Sequence, residues 1–92
     1  MWGDPDHVTA GGLRVADVAR TLAFLGDGFW SREEVHLAYR WVTKDRVPMS
    51  PRSVLNAVGK LGCRPMMQEG QQGYWINLAR LRERWPRMAW LP

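Results

Sequence analysis

The sequence predicts an α+β domain in which three helices precede a β-hairpin and a short helix closes the chain. Three observations predict it. A capping box, Ser31 with Glu34 three residues later, opens an amphipathic helix. A further helix start, Ser50-Pro51, follows a turn. Two strand-like runs between Cys63 and Leu78 enclose a Gly/Gln loop. This order of elements is that of a winged helix-turn-helix domain, with the hairpin as its wing.

Length and composition bound the class of protein. Ninety-two residues allow one domain with a modest core. The single cysteine, Cys63, cannot form an internal disulfide, which favours a reducing compartment. No apolar run approaches the roughly 20 residues that span a bilayer, and residues 1–12 lack the pattern of a signal peptide. We therefore expect a cytoplasmic protein without a membrane partner. A monomer is the default expectation, and a dimer through the terminal helix is the alternative.

The charge of the chain is unevenly spread. Residues 1–31 carry two basic and four acidic side chains, a net charge of −2, whereas residues 32–92 carry eleven basic and five acidic ones, a net charge of +6. Because the basic part coincides with the predicted helix-turn-helix and wing, the asymmetry indicates a polyanionic partner, most simply nucleic acid. The alternative is that the arginines only keep a tryptophan-rich surface soluble.

The first part of the chain contains an arm and one helix. Residues 1–12 are expected to form a flexible N-terminal arm, and residues 13–78 the winged helix-turn-helix domain. The first helix begins near Leu13 and ends at Gly26-Asp27-Gly28. Its buried face is marked by apolar residues at a helical spacing: Val15, Val18, Ala19 and Leu22. Phe29-Trp30 then forms a minimal first strand.

The second and third helices each have one apolar and one polar face. In the second helix the apolar stripe consists of Val35, Ala38, Tyr39 and Val42, and the polar face carries His36, Arg40, Thr43 and Lys44. Residues 45–49 form the turn after the second helix, where Pro48 prevents the helix from continuing. The third helix stops at Gly62. Its apolar side carries Val54, Ala57, Val58 and Leu61, and its polar side Arg52, Ser53, Asn56 and Lys60.

The hairpin and the tail complete the prediction. The expected strands cover residues 64–68 and 74–78, joined by a loop over residues 69–73 that is longer than the tightest type. Residues 79–92 are expected to form a short helix, ended by Pro86, and an apolar tail. The tail is too apolar to remain in water, so it docks either on its own domain or on a partner.

The polar side of the third helix suits the major groove of DNA. Arg52 can pair in bidentate fashion with guanine, and Asn56 with adenine. Lys60 is placed to meet phosphate, and Ser53 can contact either base or backbone. Further DNA contacts are expected from neighbouring polar side chains: Arg40, Lys44, Arg64, Gln71 and Gln72. The alternatives are that this helix face is simply solvated and that the hairpin, whose tip carries the repelled carboxylate of Glu69, only covers the core.

The six tryptophans permit two interpretations. Trp30, Trp41 and Trp75 lie near the ends of predicted elements and are expected to wall the core. The C-terminal apolar residues are the candidates for a protein partner, because aromatic side chains are frequent in interface hot spots: Trp85, Met88, Trp90 and Leu91. A protein-interaction module or phage-type inhibitor or adaptor is therefore the alternative function.

Enzyme chemistry finds no support in the motifs. His7 and His36 stand without other ligands at metal spacing, and His36 is expected to be a surface histidine. Cys63 is expected to pack as a small apolar side chain. No glycine run is followed by Gly-Lys-Ser/Thr, so there is no phosphate loop. We expect neither an enzyme nor a metal or cofactor site.

Several of these motifs also resemble those of a known family. The run Val35-His36-Leu37-Ala38-Tyr39-Arg40-Trp41, with Pro48-Met49-Ser50, Leu61-Gly62 and the strand Gly73-Tyr74-Trp75-Ile76-Asn77-Leu78, resembles the C-terminal winged-helix module of phage and plasmid primase–helicases. The resemblance implies double-stranded DNA binding near a replication origin, with Arg52, Asn56 and Lys60 at recognition-helix positions. The chain departs from the family in having Cys63 in place of a large aromatic residue, a less basic wing, and no room for a primase or ATPase domain. The leading hypothesis is a DNA-binding regulator of transcription, recombination or replication initiation.

Overall fold

The computed structural model describes residues 2–46, 48–88 and 90. These residues form α1 (Val15–Leu25), β1 (Gly28–Ser31), α2 (Arg32–Thr43), α3 (Pro51–Leu61), β2 (Arg64–Gln68), β3 (Gln71–Ile76) and α4 (Leu78–Arg84). The three strands form one antiparallel sheet in the order β1-β3-β2. The α+β class predicted from the sequence is confirmed for the described part of the chain.

The start of α2 and both ends of α3 lie at the predicted capping residues. The Ser31 hydroxyl accepts a hydrogen bond from the amide of Glu34 (3.1 Å), and the Glu34 carboxylate accepts one from the amide of Ser31 (3.0 Å). At the start of α3, the Ser50 hydroxyl accepts from the amide of Ser53 (3.2 Å). Gly62 ends α3 with a φ of 110°, which only glycine adopts without strain. Local signals therefore set the boundaries of α2 and α3.

The hairpin is tighter than predicted. β2 and β3 are joined by Glu69 and Gly70 alone, and both have positive φ angles (51° and 77°), as the two-residue hairpin turn requires. The prediction of a five-residue loop is wrong, because Gln71 to Gly73 belong to β3. The predicted second strand also runs too far, since Asn77 caps α4 by accepting a hydrogen bond from the amide of Arg80 (3.2 Å).

Gly73 lies in β3 where this strand approaches β1 closely. It pairs with Ser31, and a Cβ atom at this position would collide with the carbonyl oxygen of Trp30 and lie 2.8 Å from Cζ of Phe29. Any side chain would therefore push β1 away from the sheet. The sequence predicts Gly73 in a loop, but in the structure it is the residue that permits the pairing of these two strands.

The core lies between the three long helices and the sheet. The three long helices contribute most of their predicted apolar faces, but Val42 of α2 is half-buried and lies outside the core. The sheet contributes Ile76, and α4 contributes Leu81. Residues from outside the predicted 13–78 domain also take part: Met88 and Trp90 belong to the core, and Trp2 and Trp85 pack against it. Its largest fully buried side chains are Tyr39, Leu13, Leu22, Leu61 and Ile76.

Residues 2–12, which the sequence predicts to be a flexible N-terminal arm, contact the rest of the domain in the structure. Val8 forms an isolated bridge with Arg14, and the amide of Val15 donates to the carbonyl oxygen of His7 (3.1 Å). Trp2 packs against the core. The segment lacks helical or strand periodicity, so its docking could not be predicted from the sequence.

The C-terminal segment also folds back. The indole Nε1 of Trp85 donates to the carbonyl oxygen of Leu61 at the end of α3 (2.7 Å), and that of Trp90 donates to the carbonyl oxygen of Trp85 (3.0 Å). Met88 and Trp90 are each only 4 % exposed. A side chain at Gly3 would collide with the Trp85 ring, so the two terminal segments are in contact. Of the two interpretations of the tail, the structure shows docking on its own domain.

Candidate nucleic-acid interface

One side of α3 is exposed and polar over the length of the helix. Arg52, Asn56 and Lys60 follow one another at intervals of four residues, so their side chains form a row along the helix. Gly59 lies next to this row and is exposed, with open space where a Cβ atom would stand. The opposite side is buried and fixes the orientation of the helix: Val54, Leu55, Ala57, Val58 and Leu61.

The row on α3 has no partner within the protein. In the part of the chain that the structure describes, the side chains of Arg52, Asn56 and Lys60 make no hydrogen bond or ion pair, and α3 contains no acidic residue. The arginines of α1 and α2 differ, because Arg20 contacts Asp17 (3.4 Å) and Arg40 contacts Asp45 (2.8 Å). The charges of α3 are therefore available to an external anion.

The remaining residue of the predicted row, Ser53, is already occupied. Its hydroxyl lies 3.0 Å from that of Ser50, and its amide donates to the same oxygen. The side chain thus completes the helix cap. It retains only part of its hydrogen-bonding capacity for a ligand.

The end of α2 differs from the prediction. Thr43, expected on the polar face, is buried, and its hydroxyl donates to the carbonyl oxygen of Tyr39 (2.8 Å). His36 is not a plain surface histidine either, because its Nε2 lies 3.1 Å from the carbonyl oxygen of Met49 and joins α2 to the segment before α3. Both residues lie on the same side of α2. The pattern of a single helix predicts that this side is exposed to solvent.

The basic residues at the end of α2 are exposed, as predicted. The hydrogen bond and charge of Asp45 raise the pKa of Arg40, so that guanidinium is committed to a neighbour. Lys44 ends the helix in the left-handed conformation, with a φ of 55°. Neither side chain lies on α3, and the structure does not join them to the row of Arg52.

The glutamines expected to contact DNA lie in a strand of the hairpin and not in its turn. Gln71 and Gln72 lie in β3, and the Gln72 side chain accepts a hydrogen bond from Nη1 of Arg32 at the start of α2 (3.2 Å). Arg32 and Gln72, with Met66 and Met67, line a shallow depression of about 480 Å³. Sequence reasoning missed Arg32, because its proximity to the hairpin follows only from the pairing of β1 with β3.

A second basic surface lies beyond the C-terminal end of α3. Arg64 stands opposite Trp75 in the β2–β3 pair, and both border a cavity of about 610 Å³ together with Arg80 and Arg84 of α4. Trp75 is 44 % exposed, so the prediction that it walls the core is wrong. It points away from the core because Ile76, the next residue along the strand, points into it.

The other predicted aromatic and partner residues divide between core and surface. Trp30 packs against the core as predicted, and its Nε1 donates to the carbonyl oxygen of Gly26 (2.9 Å). Trp41 is 72 % exposed, which contradicts its predicted place in the core wall. Among the candidates for partner binding, Trp85 is half-buried and Met88 and Trp90 are buried, so they do not form a docking surface. Leu91 lies outside the described residues.

The thiol of Cys63 is buried, and the described side chains form no cluster of metal ligands. Burial raises the pKa of the Cys63 thiol to about 12, so this thiol keeps its proton at neutral pH. In the described part of the chain, no three His, Cys, Asp or Glu side chains are grouped so that they could hold a metal ion. Every helix described is too short or too polar to cross a membrane.

Comparisons with known proteins add no relative. The chain matches no protein-family model, no curated protein and no solved structure. Its function has to be argued from the site itself.

Proposed function

We propose that the chain is a winged-helix protein that binds duplex DNA with the exposed row Arg52, Asn56 and Lys60. The order α1-β1-α2-α3-β2-β3, with the sheet order β1-β3-β2, supports this fold. In it α2 and α3 form the helix-turn-helix, α3 is the recognition helix, and the β2–β3 hairpin is the wing.

The unpartnered row on α3 is the observation that carries the proposal. A recognition helix needs a buried apolar side, which seats it, and an exposed polar side that enters the major groove. α3 has both, with two cations, one amide and no carboxylate on its open side. Exposed Gly59 leaves space beside the row for the close approach of a DNA strand.

The chemistry of the row suggests a division of roles. Arg52 can donate to O6 and N7 of guanine, and Asn56 can pair with N6 and N7 of adenine. Lys60, at the last turn, is placed for a phosphate. Ser53 contributes by holding the start of the helix, since its hydroxyl belongs to the cap.

The base of the wing, more than its tip, suits the DNA backbone. The tip carries Glu69, which a phosphate would repel. Arg32 and Gln72, joined by a hydrogen bond, and Arg64 at the start of β2 present donors to phosphate or sugar. Because its single cysteine cannot form an internal disulfide, the protein is expected in a reducing compartment, the cytoplasm. The resemblance to the winged-helix module of primase–helicases agrees with this proposal, and the regulatory task remains any of transcription, recombination or replication initiation.

The test is the salt dependence of binding to random-sequence duplex DNA, measured by fluorescence anisotropy. Each phosphate contact contributes about −0.9 to the slope of log affinity against log salt. Because Lys60 is placed at phosphate and Arg52 at guanine, Arg52→Ala/Lys60→Ala is expected to make the slope shallower by about 1. The matched control is Arg14→Ala/Arg20→Ala, which removes the same charge from exposed positions near or on α1.

The control variant is expected to retain most of the slope of the wild-type protein. If the protein does not bind at low salt, or if both double variants change the slope equally, α3 is not the DNA-binding element. If binding is found, sites selected from a random library allow the second test. Asn56→Ala should then weaken the selected site by about 1–3 kcal/mol and leave random duplex DNA nearly unaffected.

A further inference from the structure

The exposed sides of α1 and α2 enclose an apolar groove that the proposed DNA contacts do not use. This α1–α2 groove has a volume of about 580 Å³ and is lined by Phe24, Trp41 and Val42, with polar residues around them: Arg20, Arg40, Lys44 and Asp45. Trp41 is 72 % exposed and Phe24 49 %. Large apolar side chains grouped in this way on a surface mark an interaction site more often than apolar residues that stand singly.

The groove has the geometry of a two-helix docking surface. Leu37, which is 51 % exposed, precedes Trp41 by four residues on α2, and Arg20 precedes Phe24 by four on α1. Residues four apart lie above one another on a helix, so Leu37 extends the exposed apolar surface of Trp41 by one turn beyond the groove lining. A groove between two packed helices can accept a third helix.

The groove is separate from the DNA-binding row. Leu37 and Trp41 are exposed on the outside of α2, whereas His36 contacts the segment before α3 from another side of the helix. α3 turns its apolar side towards the core and its row Arg52, Asn56 and Lys60 outwards. A partner in the α1–α2 groove would therefore leave the row on α3 uncovered.

The charges around the groove favour an acidic partner. Three cations and one carboxylate line it, a net charge of +2. Arg40 is paired with Asp45, and Arg20 with Asp17 outside the lining, whereas Lys44 has no partner among the described residues. A second copy of this chain in the groove would bring like charges together, and an acidic partner would neutralise them. A flat membrane surface would meet the rims of the two helices but would not fill the channel between them.

We propose that the α1–α2 groove binds an acidic amphipathic helix of another protein. Apolar anchors on successive turns of that helix contact Trp41 and Phe24, and a flanking carboxylate meets Lys44. Trp41 is the principal contact, because an indole at the centre of an interface removes the most apolar surface from water. The proposal does not depend on DNA binding by α3.

The test uses two matched libraries of displayed peptides, each about 16 residues long, the length of a helix with three anchors. In both, Leu, Phe or Trp occupies one helix face. The other face carries Asp and Glu in the first library, and Lys and Arg in the second. The full chain is expected to enrich binders only from the acidic library, and the dissociation constants of the winning peptides are measured by fluorescence anisotropy.

Variants of the chain then locate the bound peptide. Trp41→Ala is expected to weaken binding by about tenfold or more, and Lys44→Glu to weaken it by charge repulsion. The controls are Trp75→Ala, which removes another exposed indole, and Arg82→Glu, which makes the same kind of charge change on α4. Both controls are remote from the groove and should change binding by less than about twofold. Circular dichroism establishes that all four variants are folded.

Several results would overturn the proposal. One is enrichment of neither library, or of the basic library equally. Another is an acidic peptide that binds Trp41→Ala as tightly as the wild-type chain. Self-association in analytical ultracentrifugation that Trp41→Ala abolishes would assign the groove to a second copy. Binding to phosphatidylserine vesicles that needs Trp41, with no peptide binding, would assign it to a membrane surface.

Discussion

Trp90 in the C-terminal tail and Trp41 in α2 are the same side chain in opposite environments. Trp90 is 4 % exposed, packs against the core and donates its indole hydrogen to the carbonyl oxygen of Trp85. Trp41 is 72 % exposed and no hydrogen bond of its indole is found among the described residues. The tail is thus part of the folded domain, and the α1–α2 groove is a surface left open. The apolar character of a tryptophan therefore does not decide whether its side chain is buried in its own domain or exposed at the surface.

The largest expected effect tests the buried half of this comparison. Trp90→Ala should lower the free energy of unfolding by about 3–5 kcal/mol, because it opens a cavity and removes one of two hydrogen bonds to the carbonyl oxygen of Trp85. Urea unfolding followed by circular dichroism measures this change. A loss below about 1 kcal/mol would mean that the tail does not belong to the core.

The reactivity of Cys63 tests whether the core covered by the tail stays closed. With its pKa raised to about 12, this thiol has about a thousandfold less thiolate at neutral pH than a free cysteine. We expect Ellman's reagent to react slowly with the native protein and at the rate of a free thiol in urea. Trp90→Ala should accelerate the native reaction, and rapid labelling of the unaltered protein would contradict burial of the thiol.

The same pKa shift predicts a pH dependence of stability. In the unfolded chain the thiol ionises near pH 8.5, whereas in the folded protein it ionises only near its raised pKa. The folded state therefore binds more protons above pH 8.5, and the free energy of unfolding should fall as the pH rises from there. Below that pH the thiol contributes no pH dependence. Cys63→Ala should remove this part of the decline, and an unchanged decline in the variant would assign it to other groups.

A smaller effect is expected where the tail meets α3. Trp85→Phe keeps an aromatic ring but removes the donor that binds the carbonyl oxygen of Leu61 at 2.7 Å. The free energy of unfolding should fall by about 1 kcal/mol, the net contribution of one hydrogen bond. Urea unfolding of this variant beside Trp90→Ala compares the two contacts, and an equal loss for both would mean that packing of the Trp90 ring contributes little.

The smallest effect is expected in the open half of the comparison. Trp41→Ala should change the free energy of unfolding by no more than about 0.5 kcal/mol, because the ring contributes little to the core. Thermal unfolding at matched protein concentration measures it. A loss as large as that of Trp90→Ala would show that α2 is covered in solution and would remove the difference between the two regions.

Part of the fold follows from short stretches of sequence. Ser31 with Glu34, Ser50 with Pro51, and Gly62 set helix ends through hydrogen bonds to residues within a few positions, so the sequence predicts them. The exposed row on α3 was also predictable, because a helix of known register divides into two faces. These features depend on local geometry alone.

The remaining features depend on which elements meet. His36 contacts the segment before α3, Thr43 is buried in the fold, and Gly73 is needed because β1 pairs closely with β3. Trp41 is exposed because nothing described packs on the outside of α2. The proximity of Arg32 to Gln72 has the same origin. None of these contacts leaves a signal in the spacing of residues near one another in the chain.

The pairing of β1 with β3 has a consequence for the order of folding. The helices α2 and α3 and the whole of β2 lie between these strands in the chain, so their pairing must close a long loop before it gains any hydrogen bonds. The helices and the β2–β3 hairpin involve only short closures and can form first. We therefore expect the docking of residues 28–31 beside Gly73 to limit the folding rate, and a bulkier residue at position 73 to slow refolding more than it accelerates unfolding.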